Sequence, residues 1–241
     1  MKILTAKEFE EEMLTQVLNR GKADISSIEA SVKKIVADVR EQGDKALLMY
    51  TEKFDKVRLT TSKLKVNEKE IKEAYKKLEK SQITALKKAA ENIASFHKKQ
   101  LRAKWTMEIA EGATLGQVTR PLASVGVYVP GGKAVYPSSV LMCVVPAKVA
   151  GVKKIVVCSP PGNGGDVDAA LLVAADIAGV SEFYRVGGAQ AIAAMAYGTS
   201  TVPNVDKIVG PGNVFVTAAK LEVNKDVAID VPAGPSEVLD R

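Results

Sequence analysis

Three short segments of this 241-residue chain combine glycine with polar side chains in a pattern suited to binding a small anionic ligand. They are Pro130–Lys133, Gly187–Gln190 and Gly210–Asn213, and each follows a run rich in β-branched residues. Glycine lets a ligand approach the backbone closely, and a helix that begins after such a turn offers unpaired N–H groups to an anion such as a pyrophosphate. The Gly-x-Gly-x-x-Gly fingerprint of dinucleotide-binding proteins does not occur in the sequence.

Three side chains beside these segments are candidate ligand contacts. Tyr128 stands where a predicted strand meets its loop, and Gln190 and Asn213 stand where helices begin. The amides of Gln190 and Asn213 are suited to hydrogen bonding with a ribose or a carboxamide. Each feature also has a structural interpretation: a tight strand-to-helix turn, a core aromatic ring, or a side chain that caps its own helix. Three such turns on one sheet edge favour a nucleotide-sized cleft.

The elements that would position these residues follow Ser124. Short β-branched runs alternate there with helices rich in small residues, which predicts βαβ crossovers and a doubly wound, Rossmann-like parallel sheet in an α/β fold. Ligands of such sheets bind beyond the carboxyl ends of the strands. The predicted strands are Val125–Val129, Lys154–Cys158, Glu182–Val186, Lys207–Val209 and Val227–Asp230. The predicted helices between them are Ser139–Ala150, Val167–Ala178, Ala189–Tyr197 and Val214–Glu222.

The region before the predicted sheet is mainly helical. All ten prolines and fourteen of the eighteen glycines follow residue 120, so residues that interrupt helices are rare before it. In chain order the pattern predicts an amphipathic helix within Thr5–Tyr50 that ends at Gly43, a short strand at Leu64–Val66, a helix capped by Asn67, a long helix at Ser81–Leu101, and an extended or hairpin segment at Ala110–Pro121.

Composition restricts the class of protein. A chain with 46% hydrophobic residues can bury a sizeable core, as one large or two ordinary domains. Residues 1–120 carry 25 Lys and Arg against 18 Asp and Glu, whereas residues 121–241 carry 9 against 10. Nucleic-acid binding by the basic half is one hypothesis, but interleaved acids favour an ordinary solvated surface. No stretch approaches the roughly 18 apolar residues of a membrane helix, so we expect a cytoplasmic protein without nucleic-acid or membrane partners.

Cysteine and histidine are scarce. Cys143 and Cys158 lie in apolar runs, and their spacing fits neither a disulfide framework nor a zinc site. We interpret both as packing residues rather than nucleophiles. His97 is the single histidine, and we expect it to lie on the surface or to be satisfied by local hydrogen bonds rather than to be catalytic. A mechanism that needs two histidines cannot be completed within this chain.

Five strings closely resemble the histidinol dehydrogenase family and together span residues 126–239. They are GVYVPGG at 126–132, VLMCVVPAKVAGVKKIVVCSPP at 140–161, RVGGAQAIAAMAYGT at 185–199, VPNVDKIVGPGNVFVTAAK at 202–220 and AIDVPAGPSEVL at 228–239.

The resemblance implies an aldehyde dehydrogenase-like fold and a defined activity. The family oxidises L-histidinol through an aldehyde to L-histidine with two NAD, with zinc bound in the active site, and it works as a homodimer. On the matching motifs, Tyr128, Gln190 and Asn213 would bind NAD, and Ser236 would contribute to the substrate site. The two cysteines of the family are not its nucleophile, which agrees with our interpretation of Cys143 and Cys158.

The resemblance also implies that this chain is the N-terminal portion of such an enzyme. The family's zinc ligands and catalytic glutamate–histidine pair would lie beyond Arg241, so we expect no catalytic or metal residue here. We predict a helical region over residues 1–124 that belongs to an incomplete larger domain, an NAD-binding domain over 125–234, and a segment returning to the first domain over 235–241. Such a chain would bind NAD weakly at best, self-associate and be inactive alone.

Two other functions remain open from the sequence. A non-catalytic nucleotide-binding or interaction module could retain the sheet domain and lack the chemistry. An aldehyde dehydrogenase that uses Cys143 or Cys158 is a further alternative, because the folds are related.

Overall fold

The structure of the chain is a computed structural model that describes Lys7, residues 26–131 and residues 135–231. The predicted substrate contact Ser236 and the predicted segment 235–241 lie outside the described residues, and so does Lys133 of the first glycine-rich segment.

Five helices occupy the described chain between residues 26 and 98. Helix α1 buries a stripe of valine and isoleucine and ends just before Gly43, as predicted. Asn67 also acts as the predicted N-cap: its Oδ1 accepts from the Glu70 backbone N at 3.1 Å, while Glu70 Oε2 accepts from the Asn67 backbone N at 2.9 Å. The helices are α1 (Ser26–Gln42), α2 (Asp44–Asp55), α3 (Thr61–Leu64), α4 (Glu68–Lys77) and α5 (Lys80–Lys98).

The predicted strand at Leu64–Val66 is wrong. Leu64 is the last residue of α3, and Lys65 forms one isolated antiparallel bridge with Tyr184. Because Asn67 already caps the next helix, too few residues remain for a continuous ladder. Leu64 and Val66 are apolar because they are buried beside the sheet, although they do not form a strand of it.

An antiparallel hairpin follows α5, which confirms the prediction for Ala110–Pro121 but begins earlier. Strand β1 (Trp105–Ala110) pairs with β2 (Ala113–Gln117). Met107 lies opposite Leu115, and both side chains are more than half exposed. The hairpin therefore presents an apolar face that none of the described residues covers.

The rest of the described chain forms the predicted doubly wound sheet. All five strands are parallel, in the order β5-β4-β3-β6-β7. Every predicted strand and helix of this region occurs, with bounds that differ by at most two residues. The strands are β3 (Ser124–Tyr128), β4 (Lys154–Ser159), β5 (Glu182–Arg185), β6 (Lys207–Val209) and β7 (Ala228–Ile229). The helices are α6 (Pro137–Val149), α7 (Ala169–Ala178), α8 (Gly188–Tyr197) and α9 (Val214–Val223).

Helices cover both faces of the sheet in two layers. Alternate side chains of a strand enter opposite cores, so Val127 packs in one hydrophobic cluster and Tyr128 in the other. Helices α8 and α9 lie on one face with α1 and α2 packed over them, and α6 and α7 lie on the other with α4 and α5 outside. The helical region therefore packs over the helices on both faces of the sheet. The domain boundary at residue 124 stays a prediction.

None of the helices in the described residues is long and apolar enough to cross a membrane.

Candidate functional site

A cleft of about 310 Å³ brings together the three candidate contacts Tyr128, Gln190 and Asn213. The chain runs from β3 outward to β4 and β5, then returns past β3 to β6 and β7, so the strand order reverses between β3 and β6. In a doubly wound sheet this reversal opens a crevice at the carboxyl ends of the strands. The cleft lies there, because Tyr128 ends β3 and Asn213 closes the turn after β6.

Tyr128 fixes the first turn of α8. Its side chain is 4% exposed, and its hydroxyl oxygen accepts from the Gly188 backbone N at 3.2 Å. Burial raises the pKa of Tyr128 to about 12, so the phenol stays neutral. The tyrosine is therefore both a wall of the cleft and a support for the Gly187–Gln190 turn.

Gln190 is a buried amide without hydrogen bonds. It lies in the first turn of α8 and is 1% exposed, yet neither Oε1 nor Nε2 has a partner. Such a group costs roughly 1–3 kcal/mol of stability, and native proteins rarely keep one without a reason. Gly188 has φ +64°, and a Cβ there would lie 2.7 Å from Gln190 Oε1. Glycine thus leaves room for the Gln190 amide, which no described residue pairs.

Asn213 caps helix α9 and still has donors to offer. Its Oδ1 accepts from the Val216 backbone N at 3.1 Å, so the capping interpretation is correct. The side chain is exposed at the cleft, and the cap leaves its Nδ2 group unused. Capping and ligand binding are therefore compatible at this residue.

A buried ion pair holds the turn that carries Asn213. Lys220 is 5% exposed, and its Nζ donates to the Gly210 carbonyl oxygen at 2.5 Å and to Asp230 Oδ1 at 2.6 Å. Asp230 Oδ2 in turn accepts from the Gly210 backbone N at 2.8 Å. The backbone N–H and the carbonyl oxygen of Gly210 are therefore both held by hydrogen bonds to this pair. Sequence motifs do not identify this pair, although a lone lysine in the mostly apolar helix α9 is its signal.

Two further polar groups, one lining the cleft and one beside it, were missed from the sequence. Asp55 lines the cleft from the end of α2, and its Oδ2 is buried without a hydrogen bond. Ser159 ends β4, and its Oγ is also buried and unpaired, close to Gly131. Asp55 and Gln190 therefore place two residues with unsatisfied buried groups in the lining of one cavity, and Ser159 adds a third next to its Gly131 wall.

The cysteines have the environment expected of packing residues. Cys158 is fully buried on β4, and burial raises the pKa of its thiol well above the ordinary range. Cys143 is half-buried rather than fully buried on α6, and burial raises its pKa to about 11. Both thiols are therefore protonated near neutral pH, which disfavours a nucleophilic role.

His97 lies on α5, away from the cleft. Its Nδ1 is 2.6 Å from Gln100 Oε1, a local contact one helical turn along the chain. Across residues 26–131 and 135–231, no three His, Cys, Asp or Glu side chains come together to hold a metal ion.

The sheet and the polar cleft at its point of reversal define a Rossmann-like α/β protein with a candidate small-molecule site. A family model described as histidinol dehydrogenase matches residues 18–239. The chain therefore belongs to the histidinol dehydrogenase family.

Curated relatives and a solved structure agree with this assignment. The chain is 51% identical over 237 residues to histidinol dehydrogenase of Methanothermobacter thermautotrophicus. The aligned region covers 98% of this chain and 55% of that protein. The chain is 52% identical over 235 residues to the Bacillus cereus enzyme, covering 97% and 54%. The crystal structure of histidinol dehydrogenase from Elizabethkingia anophelis superposes with a TM-score of 0.87 at 39% identity, covering 97% and 52%. The chain spans about half the length of the relatives it matches.

Proposed function

We propose that this chain is the cofactor-binding part of a histidinol dehydrogenase, which oxidises L-histidinol through histidinal to L-histidine with two NAD in histidine biosynthesis. The family match supports the reaction, and the unpaired Gln190 amide in the cleft carries the assignment of the cofactor site. We further propose that it works in the cytoplasm, where its two free thiols would stay reduced.

The described residues fit a nicotinamide dinucleotide. Bound NAD would accept hydride from the substrate. The Gln190 amide can pair with a carboxamide or a ribose hydroxyl, and Asn213 Nδ2 can donate to a neighbouring oxygen. Tyr128 keeps the first turn of α8 in place, while Phe54 and Phe215 provide apolar walls for a flat ring.

The substrate side is proposed from the resemblance. Ser236 would contact L-histidinol, and it lies outside the described residues. The described residues bring together no group of three His, Cys, Asp or Glu side chains that could hold zinc. From the resemblance we propose that the zinc ligands and the acid–base groups belong to another part of the enzyme. We therefore propose that this chain alone does not turn over.

Complementation tests the proposed function. NADH formation at 340 nm is measured with L-histidinol, NAD and zinc, using this chain alone and after addition of the separately expressed C-terminal part of the Methanothermobacter relative. We expect activity only in the mixture. Turnover by the chain alone would contradict the proposed division of labour. A mixture that forms a complex and binds NAD without turning over would favour the non-catalytic nucleotide-binding module.

We also propose that two copies associate through the exposed apolar face of the hairpin. Met107 and Leu115 form an opposed pair on that face, and Thr106 points to the other face of the same strand. Met107→Lys should convert the dimer to monomer in sedimentation velocity, whereas the control Thr106→Lys should remain dimeric. A monomeric wild-type chain at high concentration would rule out this interface.

A further inference from the structure

The carboxyl group of Asp55 lies at a position where a negative charge is unfavourable for the stability of the fold. Asp55 is the last residue of α2, and the carboxyl end of a helix already carries partial negative charge. Its Oδ2 atom is buried without a hydrogen bond. Burial raises the pKa of this carboxyl to about 6, so it is ionised at neutral pH at a cost in stability.

Neighbouring cations do not compensate this charge. Lys56 Nζ donates to the Lys53 carbonyl oxygen at 2.8 Å, and Lys53 Nζ lies 5.4 Å from the centre of the Phe54 ring. Among the described residues, Asp55 forms no ion pair within 4.0 Å. An uncompensated acid at a helix end is costly in a folded protein unless a ligand uses it.

The cleft offers Asp55 a ligand of definite chemistry. Gln190, buried and unpaired, lines the same cavity, and so does Tyr128, whose pKa is raised by burial and further by the negative charge of Asp55. A carboxylate accepts hydrogen bonds, and an amide both donates and accepts. Apolar walls from Phe54 and Phe215 complete the cavity. Hydroxyl donors beside a flat ring are the features of a nucleoside.

We propose that Asp55 is a cofactor-binding residue that accepts hydrogen bonds from ribose hydroxyls of the bound dinucleotide and makes the site selective for NAD over NADP. This inference rests on the proposed function and adds to the cofactor site a residue from the helical region. An ionised carboxylate favours a free 2′-hydroxyl, which donates to it, and repels a 2′-phosphate in the same position. The helical region would then determine whether NAD or NADP binds, while the sheet domain would bind the part of the dinucleotide that NAD and NADP share.

Binding of both dinucleotides to two variants tests the proposal. NAD and NADP are titrated at pH 8 into the wild-type chain, Asp55→Asn and the control Glu52→Gln, an exposed acid on the same helix. For Asp55→Asn we expect NAD to bind about tenfold more weakly and the preference for NAD over NADP to fall at least about tenfold. The control should match the wild type in both.

Thermal unfolding separates a binding role from a structural one. Removal of an uncompensated charge should leave the melting temperature of Asp55→Asn unchanged or raise it, whereas loss of a structural contact would lower it. NAD affinity and preference unchanged in Asp55→Asn would overturn the role of Asp55 while leaving the proposed function intact. Because the chain alone is expected to bind NAD weakly at best, the titrations are repeated after addition of the C-terminal part used for complementation. Failure of that wild-type mixture to bind NAD up to millimolar concentration would overturn both proposals.

Discussion

Gln190→Met is expected to stabilise the fold and to weaken dinucleotide binding strongly. Methionine has a similar volume and flexible shape, so it can fill the space while removing two buried polar atoms that lack partners. The free energy of unfolding should rise by about 1–2 kcal/mol, because the desolvation cost of the amide disappears. NAD affinity should fall by about 100-fold, because the ligand groups that pair with the amide are left without partners.

Chemical denaturation and NAD titration measure the two effects. Gln42→Met is the matched control, since Gln42 is exposed at the end of α1 and does not line the cleft. It should change neither stability nor affinity. A Gln190→Met protein that is less stable than the wild type would mean that the amide has a structural partner, and one that binds NAD normally would remove Gln190 from the site.

Gly210→Ala is expected to have the largest effect on stability. Gly210 has φ +112°, a conformation that side-chain-bearing residues rarely adopt, and an added Cβ would overlap the carbonyl oxygen of Tyr128. The overlap is with backbone, so relief would require β3 and β6 to separate. The Lys220–Asp230 pair also fixes both polar groups of Gly210 and prevents the turn from moving. We expect destabilisation by more than about 4 kcal/mol.

Soluble yield and thermal unfolding report this effect. Gly164→Ala is the control, because a Cβ at Gly164 would meet nothing within 4 Å and its φ is ordinary. That variant should lie within about 0.5 kcal/mol of the wild type. A Gly210→Ala protein as stable as this control would show that the turn after β6 has another conformation.

Local sequence patterns predict the sheet well because its elements are set by local chemistry. Strands β3 to β7 are runs of β-branched residues between glycine-rich turns, and such runs fill a sheet that is covered on both faces. The meeting of Tyr128, Gln190 and Asn213 follows from topology, since parallel strands end at one edge. The cap at Asn67 was predictable for the same local reason.

Contacts between distant segments carry no such local signal. Asp55 resembles any other acid at a helix end, and only the fold shows that α2 reaches the cleft. The Lys220–Asp230 pair depends on the return of β7 beside β6. The sequences of the amphipathic helices α1 and α4 show that each helix has an apolar face, but they do not indicate which surface that face packs against. The strand prediction at Leu64–Val66 was wrong for the same reason. Leu64 and Val66 are buried, and the segment pairs with β5 through the isolated Lys65–Tyr184 bridge, which the local sequence pattern does not reveal.

The most direct measurement is the NMR response of the Gln190 side chain to NAD. A ¹H–¹⁵N correlation spectrum of the labelled chain shows the Nε2 protons of each glutamine, and the pair missing from Gln190→Met belongs to Gln190. We predict that this pair and the Gly188 amide shift progressively as NAD is added, because the cofactor supplies the absent hydrogen bonds. NAD-induced shifts elsewhere with both signals unmoved would contradict the assignment of the cleft as the cofactor site.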